Sequence, residues 1–355
     1  MEPVEGYLEI MDRGFGFLRS IENNYQPGPE NPYVSIPLIN RFDLREGSYI
    51  QGDGESKGGK NQNLALSRIH TVNNLSLDEY VKVPLLQDQV SINPEERYNL
   101  AQGPDDLTGK ALDMVVPLGK GQRGLIIAPP KSGKTMILRH MANSMILNHP
   151  DSKVFVLLVD ERPEEVTDFR RGLKEAHVLY SSADQQIAQH MRMTRLALHT
   201  AIRCAETGQD AVVFIDSLTR MTRAFNIETN SHGKTMTGGL GANAMAFPRK
   251  IFGAARNLEN GGSLTIMATI LVDTGSRMDE VIFQEFKGTG NMDLVLSRSC
   301  AEQRVWPAIN INESGTRKED LLFDKEEYAE SIRVRRDLSG MDEVSAMKRF
   351  IDYIS

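Results

Sequence analysis

The sequence predicts an α/β protein in which a small N-terminal β-barrel precedes a larger domain built on a mostly parallel sheet. Short β-like runs separated by Gly, Pro and Asn fill the first 72 residues. Apolar strand-like runs then alternate with helical patterns. Between the first of these strands and its helix lies a Gly-Lys-Thr turn of the kind that binds phosphate. A chain of 355 residues has room for both domains.

Composition places the chain among ordinary globular proteins, with 40% hydrophobic and 25% charged residues. The net charge of −7 predicts that any nucleic-acid site is local. Cys204 and Cys300 lack metal-ligand spacing and are interpreted as packed thiols in a reducing compartment. Because Glu2 and Glu5 begin a chain with no apolar leader and no run of membrane-spanning length, we predict a cytoplasmic protein with no membrane partner.

The barrel is predicted over residues 1–72 from runs at 7–10, 16–19, 33–35, 49–51 and 64–66. Its stretch Gly14-Phe15-Gly16-Phe17-Leu18-Arg19 places two rings on one strand face, where bases can stack. Phe15, Phe17, Arg19 and Tyr33 are therefore predicted to bind single-stranded nucleic acid. The alternative is that these rings fill the barrel core. The barrel holds seven basic and ten acidic residues, 7 − 10 = −3, so its attraction for phosphate is predicted to be weak.

Residues 73–108 are polar and interrupted by Pro84, Pro94, Gly103 and Pro104, which predicts a linker. Residues 109–355 are predicted to form the larger domain. Strand-like runs at 154–159, 211–215 and 263–269 alternate with helical patterns such as 183–207, which is typical of a parallel sheet covered by helices on both faces. Residues 325–355 are predicted to form charged helices with a break at Gly340.

The phosphate-binding loop follows the apolar run 124–127. It reads Ala128-Pro129-Pro130-Lys131-Ser132-Gly133-Lys134-Thr135, and Met136 continues into a helix. The turn amides and the helix N-terminus are expected to face a phosphate that Lys134 neutralises, and the Thr135 hydroxyl to hold Mg²⁺. Ala128 stands where the general motif has Gly. The alternative is a tight turn with a solvated lysine.

Acidic residues end two of the predicted strands. Asp216 is expected to hold Mg²⁺ through water, and Glu161 to orient or activate the water that attacks the γ-phosphate. Ligands of parallel α/β sheets bind at the carboxyl edge, which favours catalysis. Strand-terminal acids also serve as helix caps, and that alternative stays open for either residue alone.

Two polar loops and two arginines complete the pattern. Residues 230–239 and 273–279 combine Gly, Ser and Thr with a cation each, which suits a sugar-phosphate backbone, although solvated surface loops are the alternative. Arg304 and Arg317 lie far downstream, where an arginine can complete a neighbouring subunit's site or serve as a surface ion-pair partner.

Five strings together resemble the Rho family of bacterial transcription termination factors. They are residues 128–135, 159–166 (Val-Asp-Glu-Arg-Pro-Glu-Glu-Val), 253–256 (Gly-Ala-Ala-Arg), 286–292 (Phe-Lys-Gly-Thr-Gly-Asn-Met) and 314–319 (Ser-Gly-Thr-Arg-Lys-Glu). The resemblance extends from Gly14 to Leu322. It implies a ring-shaped homohexamer of RecA-like P-loop ATPase domains, each with an N-terminal OB-fold or cold-shock-like barrel. It also implies ATP-driven translocation on single-stranded RNA and release of the transcript from the RNA polymerase elongation complex.

The resemblance also implies roles for single residues. Glu161 becomes the catalytic glutamate with Arg162 beside it, and Arg317 and Arg304 act on a neighbouring subunit. ATP is held by residues 128–136 and by Trp306, which stacks on adenine where the family usually has Phe. Lys234, Thr237 and Gly238 fall in one central-channel RNA loop and Arg277 in the other, where Lys is common.

Three departures from the family pattern limit these implications. Asn61-Gln62-Asn63 replaces the acidic-basic-aromatic cluster that often completes the cytosine pocket, so a pyrimidine preference does not follow from the resemblance. The helical segment that usually precedes the barrel is expected to be absent, and the C-terminal helices are expected to be short. Two alternatives stay open: a rotary-type ATPase subunit, and a non-catalytic RNA-binding regulator stabilised by nucleotide.

Overall fold

The computed structural model describes residues 1–56, 64–182, 185–229, 239–241 and 243–355. The N-terminal part is a closed barrel in which the strands follow the order β1-β2-β3-β5-β4. Its elements are β1 (Glu2–Ile10), β2 (Gly16–Arg19), β3 (Tyr33–Val34), α1 (Ile36–Phe42), β4 (Tyr49–Ser56) and β5 (Leu64–Val72). Alternate strand residues, among them Leu8, Leu18 and Ile50, fill its interior.

The larger part is built on a sheet of nine strands within the described residues. Its main path runs β11-β10-β12-β14-β9-β15-β16, with β13 and β6 attached to β14. Neighbours from β11 to β15 along this path are parallel, and β16 is antiparallel to β15. The strands are β6 (Ser91–Ile92), β7 (Arg97–Tyr98), β8 (Leu118–Gly119), β9 (Arg123–Ala128), β10 (Lys153–Glu161), β11 (His177–Ser182), β12 (Asp210–Asp216), β13 (Arg256–Leu258), β14 (Ser263–Leu271), β15 (Met292–Val295) and β16 (Gly315–Thr316). This architecture confirms the predicted fold class.

Helices cover this sheet on both faces. They are α3 (Leu107–Val115), α4 (Lys134–Asn148), α5 (Pro163–Gly172), α6 (Ile187–Glu206), α7 (Leu218–Thr229), α8 (Ala246–Phe252), α9 (Arg277–Lys287), α10 (Arg298–Glu302), α11 (Lys325–Leu338) and α12 (Glu343–Ile354). The short helix α2 (Leu77–Tyr80) packs against the barrel instead. Val156 and Leu158 of β10 belong to one apolar cluster, and Phe155 and Leu157 to the other. A strand buried on both faces needs a continuous apolar run, which is the pattern that predicted it.

The segment predicted as a linker carries structure of its own. It contains α2, β6, β7 and the start of α3, and β6 pairs with β13. The boundaries at 72 and 108 stay a prediction. At the other end of the chain, Gly340 separates α11 from α12 with φ +85°, a left-handed conformation that favours glycine. In the described part of the chain, no helix is both long and apolar enough to cross a membrane.

Candidate nucleotide site and RNA platform

The phosphate-binding loop joins β9 to α4 at the carboxyl edge of the parallel sheet. Lys131 and Gly133 have positive φ angles of 65° and 89°, so the backbone turns sharply before the helix begins. The Ser132 hydroxyl donates to the carbonyl of Pro129 at 2.8 Å and closes the turn. Ala128 is fully buried at the end of β9. The loop therefore presents its amides and the N-terminus of a long helix at one place, as an anion site requires.

Lys134 lies between the two strand-terminal carboxylates. Glu161 ends β10 and Asp216 ends β12, and these strands are neighbours. The Lys134 ammonium is 3.4 Å from Glu161 Oε1 and contacts Asp216 Oδ1. The structure thus brings together three residues that the sequence separates by 27 and 82 positions.

Both carboxylates are withdrawn from water. Glu161 is 1% exposed and Asp216 is fully buried. Burial and, after it, the charge of Asp216 together raise the pKa of Glu161 to about 7, against the opposing effect of Lys134 and Arg220. Among the described residues, Glu161 Oε2 and Asp216 Oδ2 have no hydrogen-bond partner. A buried carboxyl of raised pKa with a free oxygen is suited to accept a proton.

Two further residues orient these acids, and the sequence analysis missed both. Arg220 Nε lies 3.6 Å from Glu161 Oε1, and its guanidinium also donates to the carbonyl of Asp160. Thr269 donates its hydroxyl to Asp216 Oδ1 at 2.8 Å. A signal for Arg220 exists, since it lies one helical turn beyond the strand end at Asp216 and so returns to the same edge.

The residues predicted to bind Mg²⁺ suit an ion that is held partly by the phosphates of a bound nucleotide. Thr135 is the second residue of α4 and is half-buried, and Asp216 offers an unpartnered buried oxygen. Over the described ranges, no group of three His, Cys, Asp or Glu side chains is placed to hold a metal. Magnesium held by few protein ligands takes its remaining ligands from water and substrate phosphates, which matches this donor set.

A cavity of about 360 Å³ adjoins the loop on the side of Trp306. A Cβ on Gly133 would lie 2.6 Å from Cζ3 of Trp306, so the indole packs directly on the turn. Met136, 57% exposed, lines the same cavity. The base of a nucleotide can therefore lie against Trp306 while the phosphates of the same nucleotide reach the loop.

Of the three arginines predicted to act in catalysis, one lies next to the site in the chain and two lie apart from its acidic residues. Arg162 is exposed and precedes α5 directly after Glu161. Arg304 and Arg317 are exposed, and in the described structure no ion pair joins either to Glu161 or Asp216. Arg317 follows Thr316 of β16, and Thr316 pairs with Met292 of β15. Met292 pairs in turn with Gly124, near the start of β9. Arg317 therefore lies at the amino-terminal end of β9. The phosphate loop begins beyond the other end of that strand, about 16 Å away at about 3.3 Å per residue.

On the barrel, the predicted rings form one cluster outside the core. Phe15 and Phe17 have ring centroids 5.8 Å apart, and Tyr33 lies 5.7 Å and 5.9 Å from them. All three are half-buried and absent from the barrel's apolar core. We call Phe15, Phe17 and Tyr33 the ring platform. Its exposed faces can stack bases. Arg19, by contrast, is only 4% exposed and is held by Glu9 and Asn31.

The second predicted channel loop, residues 273–279, lies at the carboxyl edge of the sheet. Arg277 is exposed and opens α9, directly after β14 and its loop. Arg223 of α7 binds the buried Asp279 of α9, with Nε 2.8 Å from Oδ1. Asn226 of α7 donates to the carbonyl of Gly239 at 3.2 Å. The helix leading into the first loop thus contacts the helix after the second. Lys234, Thr237 and Gly238, like Asn61, Gln62 and Asn63, lie outside the described residues.

Two known protein families together match most of the chain. Residues 109–316 match the nucleotide-binding domain of the ATP synthase alpha/beta family. Residues 4–78 match the RNA-binding domain of Rho termination factor.

Curated relatives match along almost the whole chain. Transcription termination factor Rho of Haemophilus influenzae is 47% identical over 98% of this chain and 83% of its own. The Escherichia coli K12 protein of the same name is 45% identical over 99% and 84%.

Solved structures share the fold at lower identity. An ATPase of the type III secretion system of pathogenic bacteria has a TM-score of 0.64 at 21% identity, covering 75% of this chain and 80% of its own. An ATP synthase subunit of Nanoarchaeum equitans has a TM-score of 0.59 at 18% identity, covering 72% and 63%.

Proposed function

Since this chain belongs to the family of transcription termination factor Rho, we propose that it is an RNA-dependent ATPase that moves along nascent RNA and terminates transcription. Its enzyme class is that of an ATP-hydrolysing protein. The observation that carries the proposal is one chain holding both a buried Glu161 beside Lys134 and a half-buried ring platform outside the barrel core. The first suits phosphoryl transfer and the second single-stranded RNA.

Hydrolysis is proposed to use Glu161 as the group that positions water. Its free Oε2 takes the proton of the attacking water, while Arg220 holds the carboxylate in place. Lys134 moves its charge to the phosphates, and Trp306 holds the base. Thr135 would hold magnesium through its hydroxyl and Asp216 would hold it through water, and the ion would supply charge neutralisation at the phosphates. Arg162 stands beside this site.

An arginine that stabilises the charge developing on the phosphates is proposed to come from a neighbouring subunit. Arg317 lies at the opposite sheet edge from its own phosphate loop, so a second copy must present it. This arrangement requires an oligomer, and the family's homohexameric ring supplies one. Arg304, also exposed, is proposed to act in the same way.

RNA is proposed to bind at two sites. The ring platform receives it first, and the loops containing Lys234, Thr237, Gly238 and Arg277 grip it in the ring's channel. Transcript release from RNA polymerase follows when translocation pulls on the RNA.

Neither alternative is favoured by a specific observation. Resemblance to the secretion and ATP synthase subunits at 21% identity or less concerns the fold alone, and a rotary subunit has no use for a ring platform. A regulator without catalysis has no use for a buried acid of raised pKa beside the phosphate lysine.

Hydrolysis rates test the proposal. ATP turnover by the purified protein is measured alone, with single-stranded RNA and with DNA of the same sequence. We expect strong stimulation by RNA only. A rate independent of nucleic acid would favour the rotary alternative, and no turnover with intact RNA binding would favour the regulator.

A further inference from the structure

Glu9, in the first strand of the barrel, binds arginines from both domains. Arg19 Nε of the barrel lies 2.6 Å from Glu9 Oε2. Arg192 of α6 donates from Nη2 to the same oxygen at 2.9 Å and from Nε to Oε1. Glu9 and Arg19 are each 4% exposed. A buried carboxylate bound this closely by two guanidinium groups fixes the orientation of both.

Arg19 in turn supports the ring platform. Its guanidinium carbon lies 4.7 Å from the ring centroid of Phe17, and its Nη1 donates to Asn31 Oδ1 at 2.6 Å. A cation over one face of Phe17 fixes that ring against its neighbours and leaves the rest of the platform for bases. The position of Arg19 therefore sets the geometry of the RNA site.

The segment after Arg19 is held by the larger domain as well. Asn24 donates to the carbonyl of Tyr180 at 2.7 Å and accepts from its amide at 2.9 Å. The Tyr25 hydroxyl donates to Thr200 of α6 at 3.1 Å, and the Tyr25 carbonyl accepts from Arg192 at 2.5 Å. The strand that carries Phe17 thus continues directly into a docked loop.

Charge gives Arg192 a second effect. The barrel carries −3 overall (7 − 10, residues 1–72), which opposes RNA binding. Glu9 with Arg19 alone is neutral, whereas the group of Glu9, Arg19 and Arg192 carries 2 − 1 = +1 beneath the platform. Glu30 also acts electrostatically on Arg19 but forms no ion pair with it among the described residues.

We propose that Arg192, a residue of the ATPase domain, is a positioning residue of the barrel's RNA site: by sharing Glu9 with Arg19 it fixes the ring platform and gives it a net positive charge. This inference rests on the proposed function, since it assumes that the platform binds RNA. RNA bound on the barrel is then linked energetically to α6, which packs on the strands that end in Glu161 and Asp216.

The test uses the full-length protein and a labelled single-stranded RNA of about six nucleotides, within the span of one barrel. Its affinity is measured by fluorescence anisotropy for wild type, Arg192→Gln and Arg192→Lys. Arg45→Gln is the matched control, because Arg45 also joins barrel to ATPase domain, through Glu206 at 3.3 Å. We expect about tenfold weaker binding for Arg192→Gln, partial recovery for Arg192→Lys and little change for Arg45→Gln.

A charge rescue separates the loss of charge from a folding defect. Adding Glu9→Gln to Arg192→Gln leaves Arg19 as the cation beneath the platform and restores the +1, so the part of the affinity that depends on charge should recover. In RNA-stimulated hydrolysis, Arg192→Gln should raise the RNA concentration needed for half-stimulation and leave the maximal rate unchanged. Equal binding by wild type and Arg192→Gln, an equal loss in Arg45→Gln, or a double variant as weak as Arg192→Gln would overturn the inference. Wild type that fails to bind this RNA would instead contradict the proposed function of the barrel.

Discussion

The indole of Trp306 packs so closely on Gly133 that a methyl group on this glycine would come within 2.6 Å of ring carbon Cζ3. The two residues join the phosphate and base ends of the proposed nucleotide site. Because Gly133 also has φ +89°, the position excludes a side chain on two independent grounds.

Gly133→Ala is therefore expected to weaken ATP binding at least about tenfold, through backbone strain and displacement of Trp306. Isothermal titration with ATP measures the change. Gly172→Ala is the control, since Gly172 lines the same cavity but a Cβ there would meet only Arg139 Cδ at 3.7 Å. Equal affinity of the two variants would contradict the assigned geometry.

Trp306 is the single tryptophan of the chain, so its fluorescence reports on this site alone. Binding of ATP should shift or quench the emission, because the base stacks on the indole. Trp306→Phe should lose the signal while keeping hydrolysis, since a phenyl ring also stacks. An emission spectrum that does not change at saturating ATP would place the base elsewhere.

Glu161→Gln is expected to lower hydrolysis by about two to four orders of magnitude, because the amide cannot accept the water's proton. Glu164→Gln, exposed in the first turn of α5, should keep the wild-type rate. Hydrolysis by Glu161→Gln at the wild-type rate would remove Glu161 from the mechanism.

Glu161→Gln should lower hydrolysis but raise the stability of the folded protein above neutral pH. Burial raises the pKa of Glu161 to about 7, so ionising it costs the folded state free energy as pH rises from about 5 through 7. Without nucleotide, the melting temperature of Glu161→Gln should therefore exceed that of wild type at pH 8 and approach it at pH 5. A difference that is the same at both pH values would contradict the raised pKa.

Lys134→Ala and Arg317→Ala should each abolish hydrolysis, and a mixture should regain part of it. Arg317 lies at the sheet edge opposite its own phosphate loop, so mixed oligomers contain sites with an intact lysine from one subunit and an intact arginine from the next. Rates are measured after mixing in several ratios. Absence of any recovery, despite subunit exchange, would mean that Arg317 does not act in trans.

The sequence allowed the fold class and the nucleotide site to be predicted because both depend on local patterns. Continuous apolar strands such as Val154 to Val159 indicate a sheet buried on both faces, and a Gly-Lys-Thr turn indicates where phosphate binds. Parallel strands bring their carboxyl ends to one edge, so Glu161 and Asp216 were expected near Lys134. That expectation agrees with the observed contacts.

Other features depend on contacts that no local pattern encodes. The choice between core and platform for Phe15 and Phe17 stayed open because glycine alternation places rings on one face without saying which. Arg19 was expected to face RNA, yet it is buried against Glu9, and the second partner of Glu9 is 183 residues away. Arg220 lies one helical turn beyond Asp216, which places it at the right sheet edge, but that spacing does not identify Glu161 of another strand as its partner.

Displacement of a DNA strand from an RNA–DNA duplex with a long single-stranded 5′ RNA tail tests the central claim most directly, since it requires RNA binding, hydrolysis and movement together. With ATP, wild type should release the DNA strand, whereas Glu161→Gln should bind the RNA and release nothing. Hydrolysis stimulated by RNA without any strand release, or release that is equal in Glu161→Gln, would contradict the account of an ATP-driven motor on RNA.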